Sequence, residues 1–128
     1  MIDHLGFVVG DFAKSRQFYI KALAPLGYQV VMAMSAAEGG VDGAGFGEPS
    51  KPDFWIIGGG TATSPRVHVA FRATNRAAVD AFHQAALAAG GRDNGPPGLR
   101  LHYHPHYYGA FVLDPDGHNI EAVCHDPP

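Results

Sequence analysis

Residues 2–9, Ile-Asp-His-Leu-Gly-Phe-Val-Val, alternate in the period-two pattern of a half-buried strand. Leu5, Phe7 and Val9 fall on one face, and Ile2, His4, Gly6 and Val8 on the other. The period then lengthens. Asp11 is an N-cap for a helix over about 12–24, with Phe12, Ser15 or Arg16, Tyr19 and Leu23 at helical spacing, and Pro25 and Gly27 stop it. An apolar run at 28–34 predicts a second strand. Residues 35–53 are rich in Gly, Ala and Pro and predict a loop with a short strand near 43–48. A strand at 54–57 and a connector through Pro65 follow. The glycine content of 35–60 also suggests a mobile lid.

The pattern then starts again. Arg66 to Arg72 alternates as a strand, Asn75 caps a helix over about 76–89, and Gly90-Gly91 ends it. Near the end, Asp114-Pro115-Asp116-Gly117 is turn chemistry between two strands within 108–123. One ungapped shift of 64 residues lays His4 on His68, Phe18 on Phe82, Gly27 on Gly91, Gly45 on Gly109 and Ile57 on Glu121. Matching punctuation at one offset argues for a duplicated unit. The expected fold is α+β: two tandem βαβββ modules, about 1–60 and 65–125, in a single domain spanning 1–128. Their mixed sheets would curve into a shared open-barrel cavity. Leu5, Phe7 and Val9, with Val67, Val69 and Phe71, would pack under the helices, leaving His4 and His68 to face the cavity.

Composition narrows the function classes. At 46% hydrophobic and 16% charged, the chain is globular, and no apolar run approaches the roughly 18 residues of a membrane helix. No secretory signal is apparent, and the single cysteine, Cys124, suits a reducing compartment, so a cytoplasmic protein is expected. A net charge of −3 without a basic stripe argues against nucleic-acid and membrane partners. Eight histidines, four of them within 102–118, turn attention to metal or proton chemistry.

In the last strand Asn119, Glu121 and Val123 share a face, and Glu121 is a lone carboxylate among apolar residues. Burying it unpaired costs several kcal/mol, so it lies at a solvated edge, pairs with a base or binds a metal. Two imidazoles, His4 and His68, converging with Glu121 would form a facial triad for a divalent ion, with Fe, Mn, Ni, Co and Zn all suited to these donors. His102 and His104 share a strand face in Leu101–Tyr108; with Tyr108 they are candidates for acid or base catalysis, or else a polar edge. His83 and His125 read as surface residues, and Trp55 as cavity wall or core.

Asp3-His4, Ser15-x-x-Phe18-Tyr19 with Leu26-Gly27, His68, and Asp114-Pro115-Asp116-Gly117-x-x-x-Glu121 together resemble the vicinal oxygen chelate superfamily. That superfamily includes glyoxalase I, extradiol dioxygenases, fosfomycin-resistance enzymes and bleomycin-binding proteins. The resemblance implies paired βαβββ modules, a divalent metal held by His4, His68 and Glu121, a small-molecule substrate, and often a homodimer. It also marks departures. Ile57 stands where glyoxalase I has a further glutamate ligand, Phe111 where extradiol dioxygenases have a tyrosine, and Gly6 where fosfomycin-resistance enzymes have a threonine. Two function readings follow. One is a metal-dependent lyase, isomerase or ring-cleaving dioxygenase acting on a vicinal-oxygen compound. The other is a non-catalytic protein that sequesters a drug-like molecule, with Trp55, Phe46, Phe54, Tyr103 and Tyr107 as aromatic walls. A purely structural metal is a third reading.

Overall fold

The computed structural model describes residues 1–128. The first half runs β1 (Leu5–Val8), α1 (Phe12–Leu23), β2 (Gln29–Met34), β3 (Gly43–Glu48) and β4 (Lys51–Ile57). The second repeats it as β5 (His68–Arg72), α2 (Arg76–Ala88), β6 (Arg92–Leu99), β7 (Tyr108–Leu113) and β8 (Asn119–Cys124). Each half is a four-stranded mixed sheet, ordered β1-β4-β3-β2 and β5-β8-β7-β6, with parallel pairing between its first and last strands. The two orders are the same βαβββ topology twice.

Local chemistry sets the helix starts. Asp11 accepts from the Lys14 amide and Asn75 from the Ala78 amide, each satisfying a donor that the first helical turn leaves free. The buried stripes Phe18, Tyr19, Ala22, Leu23 and Val79, Phe82, Ala86 then bring α1 against α2.

One core serves both halves. Phe7, Val9, Phe54 and Ile56 of the first sheet join Val69, Phe71, Ile120 and Ala122 of the second in a single cluster with both helices. Edge-on ring contacts cross between the halves, Phe54 on Phe71 at 5.2 Å and Tyr28 on Phe71 at 5.8 Å. The helix-side faces of the two sheets therefore meet, and the opposite faces are left open. The α+β class and the two tandem βαβββ modules are as expected, and the sheets are not closed into a barrel; the larger cavity is lined by the first sheet alone rather than shared between the two. The physical reason is that α1 and α2 pack on each other and draw the same face of both sheets inward.

Three local readings also change. β3 lies where a short strand was expected, but β4 begins at Lys51 rather than Phe54, so half of residues 35–60 are sheet. Residues 100–107 are a turn rather than a strand, closed by the Arg100 amide donating to the Tyr107 carbonyl at 2.7 Å. His83 is buried rather than on the surface, its Nε2 donating to Asp93 Oδ1 at 2.9 Å.

Candidate metal centre

On the open face of the second sheet, β5 and β8 run parallel and place His68 diagonally from Glu121. His68 Nε2 lies 2.8 Å from Glu121 Oε1, and since a carboxylate only accepts, the ring nitrogen donates. Glu121 is 1% exposed, whereas the His68 side chain is 53% exposed. A buried carboxylate is thus presented to solvent through an open imidazole. Its other oxygen, Oε2, accepts from the hydroxyl of Tyr107, at the end of the 100–107 turn. Burial, and then the hydrogen bond to Glu121, push the Tyr107 phenol well above its usual range, so it keeps its proton. Phe111 on β7 shares this face, its ring 6.2 Å from that of His68.

His4 stands elsewhere. It precedes β1 on the open face of the first sheet, beside a cavity of about 650 Å³ lined by Trp55, Ile57, Met32 and Met34. Trp55 lies flat over β3 because Gly45 has no side chain; a Cβ there would come 2.9 Å from the indole. His4 Nδ1 donates to Asp3 Oδ1 at 2.7 Å, which leaves the Nε2 lone pair free. That hydrogen bond, followed by Lys51, holds the Asp3 carboxyl below its ordinary range. The pairing of an imidazole Nδ1 with a carboxylate is one that commonly orients metal-binding histidines.

The donors of His68 and Glu121 suit a divalent ion. Two atoms 2.8 Å apart can both bind an ion at about 2.0–2.2 Å, the ion taking the place of the shared proton. His4 does not join them within the chain: the one group of three or more His, Cys, Asp or Glu donors within 4.8 Å of one another is Asp114, Asp116 and His118. That group has the spacing of a cation site, but its atoms are committed. Asp114 accepts from the amides of Asp116 and His118 and from the Tyr19 hydroxyl, and His118 Nδ1 accepts from the Val67 amide. The proton of His118 is therefore on Nε2, which offers no lone pair. The group builds the Asp-Pro-Asp-Gly turn.

The remaining predicted residues separate. Tyr108 turns to the helix side, where its hydroxyl donates to Asp80 at 2.6 Å, so the tyrosine at Glu121 is its neighbour Tyr107. His104 Nδ1 accepts from the His106 amide, and its Nε2 donates to His125 Nδ1 at 2.7 Å. The two imidazoles stack 4.9 Å apart and flank Tyr107. His102 packs on Tyr103, further out on the same turn. No signal in the sequence separated Tyr107 from Tyr108, because strand parity does not carry through the turn.

The family model of the Glyoxalase/Bleomycin resistance protein/Dioxygenase superfamily matches residues 1–122. The chain belongs to this superfamily. A glyoxalase/bleomycin resistance protein from Albidiferax ferrireducens is 29% identical, with a TM-score of 0.74 over 94% of this chain and 97% of that one. A glyoxalase I mutant from Zea mays is 18% identical (TM-score 0.72), the match covering 95% of this chain but 43% of the maize chain. A mutant of the fosfomycin resistance protein FosX from Listeria monocytogenes, complexed with Mn(II) and 1S,2S-dihydroxypropylphosphonic acid, is 18% identical (TM-score 0.67). There the match covers 96% of this chain and 88% of that one. At such identities the last two show a common fold. A search of curated proteins finds no match. Superfamily members act on or bind small molecules, and no helix of this chain is long and apolar enough to cross a membrane.

Proposed function

We propose that this chain is a cytoplasmic metal-dependent enzyme acting on a small molecule with vicinal oxygens, through lyase, isomerase or ring-cleaving dioxygenase chemistry. The observation that carries the reading is the buried Glu121 carboxylate meeting the open His68 imidazole at 2.8 Å. His68 and Glu121 would hold the ion, Fe, Mn, Ni, Co or Zn, with His4 as the third ligand. Such an ion binds neighbouring substrate oxygens and stabilises negative charge that develops on them. Tyr107 fixes the carboxylate and is a proton donor at the site. His102 and His104, on the same turn, are acid or base groups at its mouth.

His4 lies on the other sheet, so a homodimer is part of the proposal. The open face of the first sheet in one copy would cover that of the second sheet in the other, joining His4 to His68 and Glu121. Exposed Met32 and Met34 favour this, since two large apolar side chains on one sheet face gain by being covered. The maize chain, matched over 43% of its length, has room for two such units.

A second reading, a protein that sequesters its ligand without chemistry, is favoured by the cavity over Trp55, Met32 and Met34. Metal analysis separates the two. Purified without chelator or affinity tag, the protein should carry about one divalent ion per site, lost in His68→Ala and in Glu121→Ala. Metal content unchanged in both variants overturns the assignment; ligand binding undiminished by chelator favours sequestration.

A further inference from the structure

Arg100, at the end of β6, carries a guanidinium that no carboxylate pairs, all five ion pairs of the chain being made by other residues. It is nonetheless held in place. One terminal nitrogen donates to the Gly98 carbonyl at 2.9 Å and the other to the Pro96 carbonyl at 2.8 Å. Of five N–H donors, two are thus engaged by the main chain and three are left without a protein partner. The fork sits 5.4 Å above the ring of Phe111, the residue whose ring also neighbours His68. Glycine makes room for it. A Cβ at Gly95, where φ is +152°, would come 3.2 Å from one terminal nitrogen, and a Cβ at Gly98 would come 3.2 Å from the other.

A half-buried guanidinium, pre-oriented by main-chain carbonyls and lacking a counter-charge, is built to receive an oxyanion. Its contacts place it beside the His68–Glu121 pair, across Phe111. We propose that Arg100 is the anion anchor of this site, so that the substrate is an organic acid, with a carboxylate, phosphate or phosphonate beside the oxygens that meet the metal. The proposal deepens the functional reading above and rests on it for the second half of the substrate. The simpler role, a staple for the β6–β7 turn, predicts stability effects without anion selectivity.

Two measurements decide between them. In the first, metal-free protein labelled with 15N-arginine is titrated with benzoate and, separately, with benzamide. The Arg100 Nε–H resonance, assigned by its absence in Arg100→Met, should shift saturably with benzoate and stay in place with benzamide. No shift with benzoate, or equal shifts with both, overturns the proposal. In the second, Mn(II)-loaded protein is titrated with 3,4-dihydroxybenzoate and with catechol, which share the vicinal oxygens and differ in the acid group. Wild type should prefer the acid by roughly tenfold or more, as a charge-assisted hydrogen bond implies. Arg100→Met, checked for folding by circular dichroism, should lose that preference and keep its catechol affinity; an undiminished preference overturns the anchor. If loaded wild type binds neither compound, the vicinal-oxygen reading falls, while the metal-free titration still decides Arg100.

Discussion

The Tyr107 hydroxyl donates to the one oxygen of Glu121 that His68 leaves free, so the buried carboxylate has a partner on each side. A side chain 1% exposed in an apolar strand is tolerable only when its lone pairs are used in this way. Replacing Tyr107 with Phe keeps the ring and removes the donor. By the usual effect of partners that orient a metal ligand, Tyr107→Phe should weaken Mn(II) or Zn(II) binding by about 10–100-fold in calorimetric titration. Unchanged affinity would remove the tyrosine from the site.

Tyr19 on α1 donates to Asp114 Oδ2 at 2.5 Å, tying the first helix to the turn between β7 and β8. Both side chains are buried. Tyr19→Phe leaves a carboxylate oxygen without a partner inside the protein and should cost about 1–3 kcal/mol in urea denaturation. A variant as stable as wild type would show that water replaces the hydroxyl at no cost.

Four of the five tyrosines hold their protons above the ordinary range. For Tyr19, Tyr28 and Tyr107 burial is the first cause, with Asp114, Asp53 and Glu121 adding to it; for Tyr108 the hydrogen bond to Asp80 comes first. Each folded value is raised above an unfolded value of about 10, so the associated stability is full below that pH and is lost as pH rises through the folded values. Tyrosinate absorbance should therefore lag behind that of the urea-unfolded chain and rise sharply only with alkaline unfolding. Five tyrosines titrating together near pH 10 in the folded protein would contradict this.

The chain's own pattern made much of this legible. Alternation put Phe7 and Phe71 under the helices, and the 64-residue offset put His4 and His68 at equivalent strand starts. Glu121 stood out as a carboxylate whose strand neighbours are apolar. What stayed hidden has physical causes. Gly95, Pro96, Pro97 and Gly98 are poor strand formers and gave no strand pattern, yet they lie in β6, because an edge strand, paired on one side only, tolerates proline. That same glycine and proline content shapes the seat of Arg100, which no motif marked. His83 looked superficial because its acceptor, Asp93, lies ten residues away on a strand that the pattern did not reveal. Most important, periodicity says which face of a sheet is apolar but not how two sheets are set against each other. The packing of α1 on α2 decides that, and it is what parts His4 from His68 and Glu121.

That separation makes the central claim directly testable by mixing inactive halves. His4→Ala and Glu121→Ala are each expected to abolish metal binding when alone. Unfolded together and refolded as a mixture, they should regain bound metal, because each mixed dimer has one intact site made of His4 from one copy with His68 and Glu121 from the other. Recovery of metal in the mixture, and in neither parent, is the predicted result. A mixture as empty as its parents would contradict a site built between two copies of the chain.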